Sequence, residues 1–196
     1  MSTVYVAFPE PAKADIDEIL RYAAIPKAGR SAEMRALAER CLGLTEGKLK
    51  RSVCYALLHV KVTGDAVDLG FAIWKSASLA AYLETCDKVI LFAATVGLEL
   101  DRLIAAKSAT SPAKAHMLEA VGTERIEALC DAFSGYAAET YGGLKARFSP
   151  GYGDLPLEAQ RDIFRVLEPQ RHIGLSLTES MMMSPSKSVT AIIGVR

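Results

Sequence analysis

The segment Val89-Ile-Leu-Phe-Ala-Ala94 is apolar without interruption. The uncharged run around it, Val89 to Leu98, is about half the length that a helix needs to cross a bilayer. A strand with one face in water alternates polar and apolar residues, and this run does not. It therefore reads as a central strand covered on both faces. Such a strand needs neighbours on its edges and helices or a second layer above and below it, and the rest of the chain has to supply them.

The chain can do so. It has 196 residues, of which 51% are hydrophobic and 23% charged, the composition of a folded protein. Of its 30 alanines, 28 precede Arg147, whereas four of the eight prolines follow it. An alanine-rich helical body thus precedes a tail of loops and strands. In the body, Ile16, Ile19, Leu20 and Ala23 follow helical spacing, as do Met34, Leu37, Ala38, Cys41 and Leu42. Ser31 is a candidate cap for the second helix and Gly43 a candidate stop. Residues 52–62 read as a strand, and Gly64-Asp65 as a turn. A return strand then places Val67, Leu69, Phe71 and Ile73 on one face. A short helix follows over about 78–83. After the central strand, helices are expected over 98–107 and from Ser111-Pro112 to Gly142-Gly143, the second with Gly122 and Gly135 inside it. The tail reads as a loop (147–155), a helix (156–167), a strand (171–183), a turn at Pro185 and a strand (188–195). The pattern is α+β.

Charge and motifs exclude several functions. Lys+Arg and Asp+Glu are both 23, so no basic excess points to nucleic acid or an anionic membrane. There is no phosphate loop, dinucleotide fingerprint, nucleophile elbow or zinc-protease motif. His59, His116 and His172 are far apart, and no metal site is expected. The N-terminus has no basic region of the kind that opens a signal peptide. Cys41, Cys54, Cys86 and Cys130 form no CxxC pair and read as reduced, buried thiols. These features point to a cytoplasmic protein.

Two segments carry chemistry. In Arg147-Phe-Ser-Pro-Gly-Tyr-Gly153 the glycines let the backbone approach a ligand closely. Arg147 offers a planar fork for a carboxylate, and Tyr152 a ring face and a hydroxyl. In the strand reading of 171–183, Ile173, Leu175, Leu177, Glu179, Met181 and Met183 share one face. Glu179 then places a carboxylate in an apolar row, where it pairs with a cation such as Arg147 or Arg171, is protonated, or lines an opening.

Taken together these segments resemble a known family. Arg147-Phe-Ser-Pro-Gly-Tyr152, Leu177-Thr-Glu-Ser180 and Met183-Ser-Pro-Ser-Lys-Ser-Val189 follow the order R-x-x-x-G-Y, L-T-E-S, M-x-P-x-x-S-V. That order is similar to the reactivation, or S-adenosylmethionine-binding, domain of cobalamin-dependent methionine synthase. The likeness is strongest over 143–190. Upstream of the central strand, Lys75-Ser-Ala-Ser78 stands where the long enzyme has an acidic ligand contact.

The resemblance implies one activation domain over 1–196, with an N-terminal helical part (1–50), a helix-rich body (51–146) and a ligand-binding loop with strands (147–196). It implies a largely antiparallel, curved sheet with helices around it. It implies binding of S-adenosylmethionine, with Arg147 on the ligand carboxylate, the main chain of Ser149 and Gly151 at the adenine or ribose, Tyr152 near the methyl group and Glu179 in the same cleft. The expected function is reactivation of a cobalamin-dependent methionine synthase by reductive methylation of cob(II)alamin, a methyltransferase-type activation subunit. The cobalamin is carried by the partner, a methionine synthase or related corrinoid protein, and the electron comes from a donor such as flavodoxin or ferredoxin. No residue of this chain is assigned as a catalytic acid or base. The alternative is a non-catalytic module that binds S-adenosylmethionine or docks on a corrinoid protein.

Overall fold

The computed structural model describes residues 3–196. The chain opens with strand β1 (Tyr5–Ala7), helices α1 (Ile16–Tyr22) and α2 (Ala32–Gly43), and strand β2 (Ser52–His59). Three short strands follow, β3 (Lys61–Thr63), β4 (Ala66–Asp68) and β5 (Ile73–Lys75), then helix α3 (Ala77–Leu83) and strand β6 (Lys88–Thr95). Helices α4 (Glu99–Ser108) and α5 (Pro112–Tyr141) complete the body. The tail holds α6 (Ala159–Leu167), α7 (Pro169–Ile173), β7 (Ser176–Leu177), β8 (Met183–Ser184) and β9 (Ser188–Val195).

The uninterrupted apolar run becomes β6, and it is central. The main sheet has the order β1-β2-β6-β9 and every pairing is antiparallel. Ile90, Phe92 and Ala94 point from β6 into one core, against α5 and the helices behind it. Val89, Leu91 and Ala93 point into a second core, shared with α3, α6 and the small β3–β5 sheet. The mixed helix and antiparallel-sheet fold expected from the sequence is therefore the one observed. On the α5 side, Phe92 meets Phe133 with ring centroids 4.8 Å apart, and both rings are fully buried.

Local chemistry sets the helix ends. Asp15 caps α1 by accepting from the Asp17 and Glu18 N–H groups, and Ser31 caps α2 by accepting from Met34 N–H. Asp17 accepts from both Arg30 and Arg35, which ties α1 to α2. Helix α5 begins at Pro112 as expected and runs unbroken through both glycines. Gly122 is there because of close packing: a Cβ on it would lie 2.5 Å from Leu100 Cδ2 and 2.8 Å from Lys187 Cγ. Nothing approaches the corresponding position of Gly135.

The structure departs from the sequence reading in four places. The strand read over 52–62 breaks at Val60: Ser52–His59 joins the main sheet, and Lys61–Thr63 pairs with β4 in a separate one. Residues 5–7 form an edge strand that the sequence did not announce; its Tyr5 ring stacks on Tyr55 at 5.4 Å. The return strand after Gly64-Asp65 stops at Asp68 and the chain reverses through 69–72, where Leu69 N–H donates to Ala72 O. The reversal changes the parity, so Ile73 is 65% exposed and Trp74 is buried instead, its indole N–H donating to Asp162 at 2.9 Å. The fourth departure affects the site. Residues 171–183 are not one strand. Helix α7, opened by Pro169, runs to Ile173, and only Ser176–Leu177 and Met183–Ser184 pair as strands. Between them Thr178 builds a turn: its N–H donates to Met182 O at 2.9 Å and its hydroxyl accepts from Met182 N–H at 3.0 Å. Glu179 thus sits at an exposed turn rather than in an apolar row.

The turn after β8 is pinned at both sides. The N–H and hydroxyl of Ser186 donate to Asp101 on α4, and Lys187 pairs with Glu119 on α5 at 2.6 Å. The motif around Pro185 thus holds the entry to β9 against the α4–α5 layer.

Candidate functional site

The segment 144–148 leaves α5 and runs along the outer edge of β9. Lys145 N–H donates to Gly194 O, and Phe148 exchanges both backbone hydrogen bonds with Ile192, at 2.9 and 2.7 Å. The loop then turns away. Tyr152 N–H donates to Ser149 O at 3.0 Å, and Gly151 N–H to Leu155 O at 2.9 Å. These bonds occupy part of the backbone that the sequence offered to a ligand. Among the described residues, the Ser149 N–H and the Gly151 C=O have no hydrogen-bond partner. They form a donor and an acceptor two residues apart. The Tyr152 side chain is 61% exposed, and its ring meets Phe148 edge-on at 6.3 Å. Phe148 packs in turn on Tyr82 of α3, with centroids 5.3 Å apart.

Arg147 is not a free fork. Its Nη1 donates to Asp131 at 2.6 Å and its Nη2 to Glu127 at 2.9 Å. The two acids are one turn apart on α5, and the arginine side chain is three-quarters buried between them. Burial opposes the charge of the guanidinium, but the hydrogen bond to Asp131 and the two carboxylates outweigh it and raise its pKa above the ordinary value. The three groups together carry one net negative charge.

At the far end of the loop, Asp154 reaches to α3. Its carboxylate accepts from the Ser76 hydroxyl at 2.5 Å, from Ala77 N–H at 2.7 Å and from Ser78 N–H at 3.1 Å. The Ser76 hydroxyl bond, with the two backbone N–H groups, holds this carboxyl well below the usual range, against the opposing effect of burial. Residues 75–78, where no acid stands in the sequence, therefore meet a carboxylate that arrives from the loop. Its oxygens are directed at α3.

Glu179 lies elsewhere. It lines a cleft of about 1090 Å³ between α6, α7 and the 178–182 turn, with Arg161, Phe164, Arg165, Arg171 and Leu177 among the walls. Its main-chain oxygen accepts from Arg161 at 3.2 Å. Among the described residues no hydrogen bond or ion pair joins it to Arg147, Ser149, Gly151 or Tyr152, and neither expected arginine partner takes it. Arg147 holds Glu127 and Asp131, and Arg171 lies 3.6 Å from Glu168. The connection between cleft and loop runs through the start of α6. Leu157 lies beside Gly151, within 3.6 Å of the Cβ it lacks, and Arg161 follows one turn later.

The loop at the edge of β9 and the cleft at Glu179 lie in one stretch of chain, whereas the acids that hold Arg147 and the donors that hold Asp154 lie upstream of it. Residues 132–195 match the family model for the vitamin B12 dependent methionine synthase, activation domain. The resemblance read from the tail is borne out. The matched stretch holds every candidate residue, Arg147, Ser149, Gly151, Tyr152 and Glu179, and also Asp154. A solved structure described as the MetH reactivation domain bound to AdoHcy has the same fold, with a TM-score of 0.68 over 99% of this chain and 78% of that one, at 18% identity. No curated protein matches the chain in sequence.

The residues that sequence reasoning missed are Glu127 and Asp131, which engage Arg147, and Asp154 with its partners on α3. The first two carried a signal: they are acids at helical spacing, i and i+4, beside the core positions Cys130 and Phe133. No helix of the described residues is long and apolar enough to cross a membrane.

Proposed function

We propose that this chain works as one activation unit that binds S-adenosylmethionine at the 147–154 loop and presents it to the cobalamin of a methionine synthase. The observation that carries the reading is the free pair of backbone groups at Ser149 and Gly151 beside an exposed aromatic ring. An adenine edge offers a ring-nitrogen acceptor and an exocyclic amino donor, the complement of that N–H and C=O. Tyr152 supplies a face for the ligand, and its exposure leaves the methyl group open to a docking partner. The N–H groups of Arg147 that Glu127 and Asp131 leave unused anchor the ligand carboxylate, while the two acids hold the guanidinium in place and balance the ligand's ammonium and sulfonium charges.

The bound groups supply the chemistry: one electron from a flavodoxin- or ferredoxin-like donor and the methyl cation of S-adenosylmethionine convert the partner's cob(II)alamin to methylcobalamin, and S-adenosylhomocysteine leaves. This chain contributes positioning, which suits a site without a general acid or base. The cleft at Glu179, with its arginines and apolar floor, forms part of the face toward the corrinoid protein.

The test is calorimetry with S-adenosylmethionine and S-adenosylhomocysteine. Arg147→Ala is expected to weaken binding by ~1.5–3 kcal/mol, the value of a hydrogen bond to a charged group. Binding equal to wild type would remove the loop from the site. Binding without any effect on a corrinoid partner would leave the non-catalytic reading in its place.

A further inference from the structure

Helix α3 grips the candidate ligand loop at both ends. On the incoming side, the Tyr82 hydroxyl donates to Ala146 O at 2.5 Å and accepts from Gly194 N–H at 2.9 Å. Lys145 Nζ donates to the Tyr82 carbonyl. On the outgoing side, Asp154 accepts the three hydrogen bonds from Ser76, Ala77 and Ser78. Ser76 also caps its own helix, because its hydroxyl oxygen accepts from Leu79 N–H at 3.0 Å. The approach is close enough to dictate the neighbouring residue: a Cβ on Gly153 would lie 2.5 Å from Ser78 Oγ and 2.7 Å from Ser78 Cβ. The Gly153 φ of +56° adds a backbone conformation that disfavours a side chain.

The two grips differ in kind. The Tyr82 end lies where the segment is already fixed to β9 by backbone pairing. The Asp154 end has no backbone pairing to the sheet; there Leu155 is buried in the core and Asp154 supplies the hydrogen bonds to α3. Between residues 149 and 155 the hydrogen bonds are the loop's own turn bonds and those of this carboxylate, Pro150 and Leu155 are buried at either end, and Tyr152 stands two residues before Asp154. Asp154 does not itself face a ligand, because its two oxygens are taken by three donors.

We infer that Asp154 is a positioning residue, a latch that fastens the outgoing end of the loop to α3 and so fixes Tyr152 and the backbone of Ser149 and Gly151 in a binding-ready shape. The inference rests on the reading that this loop holds S-adenosylmethionine. Without the latch, the loop samples many shapes and the ligand selects one of them, so affinity falls by the fraction of chains in that shape.

The experiment compares wild type with Asp154→Ala, Asp154→Asn and Gly153→Ala. Three readouts are taken: amide hydrogen exchange over 149–155, thermal midpoint, and calorimetric affinity for S-adenosylmethionine. Asp154→Ala is expected to speed exchange in the loop and at Ala77 and Ser78, to lower the midpoint modestly because the three hydrogen bonds to α3 are lost, and to weaken binding about tenfold or more, the equivalent of one hydrogen bond to a charged group. Asp154→Asn is expected to lie between the two, because its amide oxygen can still accept from Ser76 and Ser78 while its NH₂ opposes Ala77 N–H. Gly153→Ala breaks the latch by a different route and is expected to match Asp154→Ala. In the reconstituted methyl transfer, the variants are expected to raise KM for S-adenosylmethionine and to leave kcat in place.

Unchanged loop exchange in Asp154→Ala overturns the latch. So does wild-type affinity in that variant while Arg147→Ala binds weakly, and this result leaves the functional reading standing. If wild type binds neither S-adenosylmethionine nor S-adenosylhomocysteine, the functional reading fails and the positioning role fails with it. That failure is told apart from failure of the latch because the exchange difference persists.

Discussion

Glu124 and Arg125 form a buried ion pair between consecutive residues of α5, and its removal has a calculable effect. Adjacent helical residues do not face each other, so the arginine folds back to reach its neighbour. Arg125 Nε and Nη2 donate to the two Glu124 oxygens at 2.5 and 2.6 Å, and both side chains are only 7% exposed. The pair also fastens the segment before α1: Arg125 Nη1 donates to Ala12 O at 2.9 Å, and Asp15 N–H donates to Glu124 at 3.2 Å. Arg125→Met keeps the apolar stem and leaves the Glu124 carboxylate with the Asp15 N–H alone. Breaking one side of such a pair costs ~3–5 kcal/mol because a buried charge is left uncompensated. For a domain of this size that corresponds to a fall in melting temperature of roughly 6–20 °C, at about 2–4 °C per kcal/mol. Glu124→Leu with Arg125→Met removes both charges. It leaves only the Ala12 and Asp15 backbone groups short of a partner, at about 1–3 kcal/mol each. The double variant should therefore lose roughly 2–6 kcal/mol, well short of the roughly 6–10 kcal/mol of the two single losses added, which corresponds to a coupling energy of about 3–4 kcal/mol. Urea unfolding of the four proteins measures all the terms. Additive losses, or single losses below about 1 kcal/mol, would refute the reasoning, because they would mean that the pair is solvated or compensated elsewhere.

The two glycines of α5 give an opposed pair. Gly122→Ala should destabilise by about 1 kcal/mol, since a clash of about 1–3 kcal/mol with Leu100 and Lys187 exceeds the helix-propensity gain. Gly135→Ala meets nothing and should stabilise by up to ~1 kcal/mol; urea midpoints decide both. Burial raises the Cys54 and Cys130 thiols from about 9 to about 12. They stay protonated in the folded protein while the unfolded chain ionises. This contribution to stability is therefore complete below about pH 9 and is lost as the pH rises toward 12, which a series of urea midpoints against pH would show. All four thiols are buried and unpaired, so none should react with a thiol reagent before the protein unfolds.

Where the sequence was legible, a local cause was sufficient. The apolar run of β6 has one solution in a protein of this size, and Ser31, Pro112 and Gly142 mark helix ends through caps that lie within a few residues of them. The strand reading of 171–183 failed because Ile173, Leu175 and Leu177 alternate by coincidence. Pro169 opens a short helix there, and the Thr178 hydroxyl bonds Met182 N–H to close a turn, so Glu179 takes its position from a side-chain hydrogen bond that periodicity does not report. The loop itself was legible as a motif. Its electrostatic setting was not, because Arg147 meets acids 16 and 20 residues away and Asp154 meets donors 76 to 78 residues away. Both contacts follow from how α5 and α3 pack on the sheet, which a linear pattern does not contain.

The most direct test of the account is a reconstituted methyl transfer. A cobalamin-loaded methionine synthase without an activation domain of its own is mixed with this chain, a low-potential electron donor and S-adenosylmethionine, and the conversion of cob(II)alamin to methylcobalamin is followed by absorbance. The account predicts conversion in the complete mixture, little or none when the chain is omitted, and a strongly reduced rate with Arg147→Ala at limiting S-adenosylmethionine. Conversion at the same rate with and without the chain would contradict it.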